Sequence, residues 1–491
     1  MGKQEGVEMI VMKFGGTSVG DGERIRQVAQ IVAGVARGEL GPSAQSAESV
    51  EFLPSVVIVS AMSGVTDALI EAARASANHD SDIVRRTAAE LSRRHREAAE
   101  AVALPEERRA LLDEVEALIE EFESLCRAIH ILGELTPRGL DAVASLGERL
   151  SARLVAAAIR GAEGLPAQAV EAMELMITDD NHGAASPLME ATRQRARAAL
   201  LPLLDEGVIP VVTGFIGATP EGAITTLGRG GSDYSAAILG SCLDADEVWI
   251  WTDVDGVMTA DPRIVPDART LPEISYAEAA ELSYFGAKVL HPKTILPAVE
   301  RGIPIRIRNT FNPTGPSTLI VAQPKPDRRT VKGITSIKGL SLITVEGRGM
   351  LGVPGIAAKV FSAVAGEGIS VLMISQSSSE QSICFVIREE ETDRALAALE
   401  AAFELELARR NVDRIWAQEG VAIVAAVGAG MKGTPGIAAK TFGALGKHGI
   451  NVISIAQGSS EYNISFVVDE RDMEDAVRYI HQEFELGRSE C

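Results

Sequence analysis

Two segments of this chain set a cation among glycines, a pairing suited to anion chemistry. The first, Lys13-Phe14-Gly15-Gly16-Thr17-Ser18, reads as the end of a strand and the opening of a helix. Two glycines let a ligand approach the backbone, and free N–H groups at a helix start would face an anion. This is not the P-loop, because GxxxxGK[ST] is absent and the lysine precedes its glycines. An ordinary strand–helix turn capped by Thr17 or Ser18 would leave the same residues. Lysine usage speaks against that plain turn: arginine is plentiful, yet no lysine occurs from residue 14 to residue 287. A compact ammonium suits a transferring phosphoryl oxygen better than a planar guanidinium. The next lysine, Lys288, lies in Phe285-Gly286-Ala287-Lys288-Val289-Leu290-His291-Pro292, where His291 reads as structural or as a cap.

The second segment, Thr225-Thr226-Leu227-Gly228-Arg229-Gly230-Gly231-Ser232-Asp233, is the densest polar and glycine cluster in the chain. Arg229 could grip a carboxylate or phosphate in bidentate fashion, and Asp233 could orient a lysine or bind Mg²⁺. A structural glycine turn with a helix cap is the alternative. The run from Trp251 to Arg263 (WTDVDGVMTADPR) follows a strand and could carry a nucleotide, with Arg263 as anion partner. A surface Asp-Gly turn fits it equally well.

The elements that must position these residues alternate. Glu8–Phe14, Ser55–Ser60, Val208–Val212 and Glu247–Trp251 are short apolar runs, each closed by polar or glycine-rich residues. Strands alternating with helical patterns predict an α/β sandwich with a mainly parallel central sheet, its site at the carboxyl ends of the strands. Gly38–Phe52 reads as a loop, and residues 68–132 as a helical excursion packed on the sheet. The length of 491 residues fits two to three domains, and 46% apolar content excludes disorder by composition. A net charge of −21 argues against nucleic acid or an anionic membrane as partner. Cysteines 126, 242, 384 and 491 have no metal-type spacing, and no N-terminal run is long enough for a signal or membrane span, so a cytoplasmic protein is expected.

Past a Pro- and charge-rich linker, Val321–Arg329, the sequence repeats. Gly349–Lys359 (GMLGVPGIAAK) recurs as Gly430–Lys440 (GMKGTPGIAAK) at an offset of 81 residues. The offset holds for Ile374-Ser375-Gln376 against Ile455-Ala456-Gln457, which predicts two paired α+β units. Gly347-x-Gly349-x-x-Gly352 and Gly428-x-Gly430-x-x-Gly433 imitate the dinucleotide fingerprint, but the following strands end in Gln376 and Gln457 where an acidic residue should hold the ribose. These glycines are read as tight turns into helices.

Together the motifs resemble aspartate kinase, of the amino acid kinase family: KFGGTSV at 13–19, VSAMSGVTD at 59–67, SLGERLS at 145–151, TTLGRGGSD at 225–233, WTDVDGV at 251–257, TADPR at 259–263 and FGAKVLHP at 285–292. The repeats resemble tandem ACT domains of ferredoxin-like α+β fold. The resemblance implies a catalytic domain over 1–325 and ACT domains over 335–415 and 416–491, with strands open to interleaving. A dehydrogenase extension, present in bifunctional relatives, has no room in this length, so the likeness is to the monofunctional form. By position, Lys13, Phe14, Gly15 and Gly16 would bind ATP phosphates, with Thr252, Asp253, Met258, Arg263 and Lys288 lining the nucleotide site. Met258 stands where many relatives have an aromatic residue. Arg229 would hold the α-carboxylate of aspartate and Glu148 its α-ammonium, with Thr66 and Ser232 beside the substrate. Asp233 would orient Lys13 as its catalytic partner.

What the resemblance implies for chemistry is phosphoryl transfer from ATP to the β-carboxylate of L-aspartate, with Mg²⁺ carried mainly by the nucleotide phosphates. The ACT pair implies a homodimer or larger assembly and an amino-acid effector touching Ile374, Gln376, Ile455 and Gln457, threonine favoured and lysine second. Those residues could equally be strand ends at a dimer seam. A kinase for another acidic amino acid and a catalytically silent amino-acid sensor are the competing functions.

Overall fold

The computed structural model describes residues 9–40, 52–286, 290–325, 329–377 and 381–488. Lys288 therefore lies outside the described residues, as do residues 41–51 of the expected loop and 326–328 of the expected linker. The chain divides into two compact units, one of residues 1–257, 272–276 and 289–324, the other of 258–271, 277–288 and 325–491.

The first stretch runs β1 (Ile10–Phe14), α1 (Gly22–Ala36), β2 (Ser55–Val59), α2 (Val65–Ala77), α3 (Ser81–Val102), α4 (Arg108–Leu132), α5 (Pro137–Ala144), α6 (Leu146–Glu163), β3 (Ala167–Val170), α7 (Ala172–Leu175), α8 (Met189–Asp205), β4 (Ile209–Thr213), β5 (Ile216–Ala218), β6 (Ile224–Thr226), α9 (Gly231–Leu243) and β7 (Glu247–Thr252). Then come β8 (Glu273–Ser275), α10 (Tyr276–Tyr284), α11 (Leu296–Arg301), β9 (Ile305–Asn309) and β10 (Thr318–Val321). Eight strands form one sheet in the order β3-β4-β2-β1-β7-β9-β10-β8, parallel except where β9 meets β10. Every residue of β2 (SVVIV) and β4 (IPVVT) is buried, as a parallel sheet covered on both faces requires.

Two expectations need correction. The helical excursion, made of most of α2 with α3 and α4, packs chiefly on α1, α5 and α6 and so forms an outer layer. The sheet face it was expected to cover is already taken by α1 and α6. Nor does a helix open directly at the Lys13 glycines: α1 starts only at Gly22, capped by Asp21 receiving the Arg24 N–H at 2.9 Å. Ser18 is turned inward instead, its hydroxyl 2.7 Å from that of Thr310.

In the second unit, β11 (Gly333–Glu346), α12 (Ile356–Gly366), β12 (Met373–Gln376), β13 (Ser382–Arg388), α13 (Thr392–Ala402) and α14 (Glu404–Ala408) precede β14 (Arg414–Val427), α15 (Ile437–Lys447), β15 (Ser454–Ala456), β16 (Asn463–Asp469) and α16 (Met473–Glu483). Its antiparallel sheet has the order β12-β13-β11-β14-β16-β15. The long strands β11 and β14 pair along their length, with a register break between Ile337 and Leu340. Residues 340–346 add β13 on their other side, and residues 421–427 add β16. Each long strand thus serves both repeats, and the strand-like segment Gly339–Val345 is part of one of them. Of the fingerprint glycines, Gly347 and Gly428 open single 3₁₀ turns, 348–350 and 429–431, which Gly352 and Gly433 follow at φ 67° and 65°; α12 and α15 begin only after Gly355 and Gly436, at φ 93° and 89°. No helix among the described residues is long and apolar enough to cross a membrane.

Helix α10 is fastened within this second unit by a buried ion pair. Lys332 Nζ lies 3.2 Å from Glu278 Oε2, their side chains 5% and 0% exposed. The Ala429 N–H donates to the other Glu278 oxygen at 2.8 Å. Removing one member of such a pair strands a buried charge and costs about 3–5 kcal/mol. Lys332→Met should accordingly lower the denaturation midpoint sharply. Lys332→Met/Glu278→Gln, which removes the charge yet keeps an acceptor for Ala429, should recover much of the loss; equal midpoints for the two variants would refute a stranded charge.

Candidate active site

The parallel sheet brings the carboxyl ends of β1, β2, β4 and β7 together. Lys13 precedes the last residue of β1 and is in register with Ile58 of β2 and Ile250 of β7. Beyond it the chain turns at Gly15, whose N–H reaches Trp251 O at 3.3 Å. A side chain at Gly15 would stand 3.5 Å from the Lys13 ammonium, and one at Gly16 would press 2.9 Å against Ala61 O. Bare backbone at both positions therefore keeps the space around the cation open. Phe14 stacks on Trp251 behind this turn, ring centroids 5.7 Å apart. Thr252 and Asp253 follow at the end of β7, joined by a 3.2 Å hydrogen bond from Thr252 Oγ1 to Asp253 Oδ1.

Lys13 Nζ forms an ion pair of 2.6 Å with Asp233 Oδ1, both side chains mostly buried. Asp233 stands in the first turn of α9, where the helix macrodipole favours an anion. That helix begins after Gly230 at φ 71°, so the glycine cluster provides the turn that delivers Asp233 to the lysine. A cavity of about 650 Å³ opens here and is lined by Lys13, Gly16, Thr66, Glu148, Arg229, Ser232 and Asp233 among others. Six of the sequence-predicted side chains thus share one chamber. Arg229 is exposed to it and, among the described residues, has no ion-pair or hydrogen-bond partner.

Glu148 is the chamber's buried acid with no cation beside it among the described residues. It sits in the first turn of α6, only 3% exposed, with one carboxylate oxygen lacking any partner. Burial pushes its carboxyl up to about 8, opposed in part by the backbone N–H groups of Ala61 and of Glu148 itself. Gly147 makes this placement possible, since a Cβ there would lie 2.7 Å from that of Ala61. Ser232 accepts a 3.0 Å hydrogen bond from Ser60 Oγ.

Among the lining residues that no sequence motif singled out are Asp141, Gly183 and Phe215. Phe215 adopts φ 68°, a costly left-handed conformation for an aromatic residue, with its N–H held by Ser235 Oγ at 2.9 Å. No one-dimensional signal marks it. Asp141 did leave one, an acid among the apolar residues of a short helix, seven positions before Glu148.

The other predicted residues lie elsewhere. Met258 and Arg263 belong to the segment 258–271 of the second unit. Met258 bridges to Thr270, and the Arg263 guanidinium pairs with Asp261 at 2.6 Å. Ile374 and Gln376 are exposed on β12, and Ile455 and Gln457 are exposed on or just past β15. Although these strands are the outermost in the sheet order, they approach each other, with Ser375 Oγ 3.4 Å from Ile455 O. The four effector candidates are thereby brought to one region.

Comparison with known proteins agrees with this geometry. Residues 8–309 match the amino acid kinase family, and residues 343–403 and 424–484 match the ACT domain. Bifunctional aspartokinase/homoserine dehydrogenase 2 of Arabidopsis thaliana, a chloroplastic protein, is 39% identical over 485 residues, covering 98% of this chain and 51% of that protein. The chain spans about half the length of the bifunctional relatives it matches. Chloroplastic aspartokinase 3 of the same plant is 34% identical over 497 residues, covering 96% of this chain and 81% of that one. Escherichia coli aspartokinase III in complex with aspartate and ADP superimposes with a TM-score of 0.77 at 32% identity, covering 97% and 99% of the two chains. The same enzyme with lysine and aspartate, in its T-state, superimposes equally well. From its parallel sheet and Lys13 chamber to its paired repeats, the chain belongs to the amino acid kinase family, among the aspartokinases.

Proposed function

We propose that this chain transfers the γ-phosphoryl group of ATP to the β-carboxylate of L-aspartate, giving 4-phospho-L-aspartate, the first step toward lysine, threonine and methionine. One observation carries the reading: a lysine ammonium anchored by Asp233 shares a chamber with Arg229, which has no partner among the described residues, and a buried Glu148 with one oxygen open. An amino acid offers the complement of that set. Its α-carboxylate meets Arg229, its α-ammonium meets Glu148, and its side-chain carboxylate is left to face Lys13, with Thr66 and Ser232 beside it.

The nucleophile needs no base, because a β-carboxylate with an ordinary pKa near 3.9 is ionised at neutral pH. The barrier comes from bringing one anion against another. Catalysis is then positioning plus cationic charge, and Lys13 supplies that charge at the γ-phosphoryl group. Asp233 keeps the ammonium aimed. Phe14, Gly15 and Gly16 shape the phosphate approach, and Thr252 and Asp253 stand where the nucleotide would continue, with Met258, Arg263 and Lys288 as further nucleotide contacts. Mg²⁺ would arrive on the phosphates and offset their charge, which suits a chamber whose Asp233 is already committed to Lys13.

An end-product amino acid would bind near Ile374, Gln376, Ile455 and Gln457 in a homodimer or higher homo-oligomer. Threonine is favoured over lysine by the Ile374-Ser375-Gln376 pattern, while the lysine-bound Escherichia coli structure supports lysine as the second choice.

The direct test is ADP formation with Mg·ATP and L-aspartate, alone and with threonine or lysine added. Aspartate-dependent turnover is expected, suppressed by threonine; its absence under every condition would favour a silent amino-acid sensor. Lys13→Ala should reduce kcat by about 10²–10³-fold, the scale for losing one transition-state charge contact, with aspartate affinity largely kept. Arg229→Ala should chiefly raise KM for aspartate. Steady-state kinetics with the two patterns exchanged would overturn both assignments.

A further inference from the structure

Three buried or mostly buried carboxylates line the chamber, and the protein treats them differently. Asp233 is consumed by Lys13, and Glu148 keeps an open acceptor. Asp141, 2% exposed, is saturated by the protein itself. Its Oδ2 accepts from His182 Nδ1 at 2.8 Å and from the Gly183 N–H at 3.1 Å, and its Oδ1 accepts from Thr226 Oγ1 at 2.6 Å. A carboxylate so occupied has little left to offer a ligand.

The donors show what Asp141 holds. His182 and Gly183 lie in the connection between α7 and α8, and Thr226 ends β6. Three residues beyond Thr226 is Arg229, set between Gly228 at φ 78° and Gly230 at φ 71°. The two segments touch: Ala185 N–H donates to Thr226 O at 2.9 Å, and a Cβ at Gly228 would lie 3.0 Å from Gly183 O. Arg229 therefore sits between two left-handed glycines, in a turn closed by the Gly231 N–H to Gly228 O at 2.9 Å and seated on a loop that Asp141 fastens. Asp141 also stands seven residues before Glu148 across the short α5–α6 junction, about two helical turns, so both acids face one chamber.

We infer that Asp141 is a positioning residue for the amino-acid substrate. By clamping the 182–183 loop to the end of β6, it fixes the turn that presents Arg229 to the substrate α-carboxylate. Its saturation also leaves Glu148 as the buried carboxylate with an acceptor open to the α-ammonium. The inference rests on the aspartate kinase reading, and it assigns Asp141 no contact with substrate.

Asp141→Asn places an amide where three donors converge, so the turn must shift. Misplacement of a binding group by about an ångström costs up to about 10²-fold. The expected result is a rise of about 10- to 100-fold in KM for aspartate, with KM for ATP and kcat changed by less than about threefold. Thr226→Val, which keeps the side-chain volume, should raise KM for aspartate by a smaller factor of about 3–10. His182→Gln, which keeps a donor, should stay near the parent value. If Asp141→Asn does not fold, the Thr226→Val and His182→Gln pair decides the matter. Unchanged KM for aspartate in Thr226→Val, or a joint loss of kcat and of affinity for both substrates, would overturn the inference. Parent protein without aspartate-dependent ADP formation would instead refute the kinase reading, and the inference falls with it.

Discussion

Glu148 is buried beside the chamber with one oxygen unsatisfied, and burying a carboxylate without a counter-charge is costly in any protein. The local fold is arranged around that cost. Gly147 lets α6 abut the turn at Ala61, closer than any side chain would allow. The backbone N–H groups at the start of α6 and at Ala61 offset part of the desolvation, yet the carboxyl is still held near 8. At neutral pH the group therefore stays mostly protonated. On the proposed reading, the substrate's ammonium would remove that penalty.

The same division of charge shapes the rest of the chamber. Lys13 is paired with Asp233, and Asp141 is occupied by three donors. What remains open is one guanidinium, one acid and one anchored ammonium, which in the proposed reaction would meet the two charged ends of an amino acid and a phosphoryl group. Preorganised charge of this kind needs no general base when the nucleophile is already an anion.

Much of this was legible in the sequence because local composition encodes it. The buried strands announce themselves as apolar runs, and the glycine-flanked Lys13 and Arg229 stand out against their surroundings. The duplication at an offset of 81 residues exposed the paired repeats. Other features depend on contacts remote in sequence. Nothing near Ser18 foretells its pairing with Thr310, which leaves the cap of α1 to Asp21. The sharing of β11 and β14 by both repeats follows from a register break near Gly339, where φ is 70°, that composition does not mark. Asp141 acquires its meaning only when α5, β6 and the 182–183 loop converge.

The most direct test of this arrangement is the proton balance of aspartate binding, from isothermal titration at pH 7 in buffers of different ionisation enthalpy. Glu148 is raised above its unfolded value, so in the free protein it holds its proton until pH approaches 8. An arriving ammonium stabilises the carboxylate and drives that proton off. Release of close to one proton per aspartate bound is expected. Binding with no proton exchanged, or with uptake, would contradict the assignment of Glu148 as the ammonium partner.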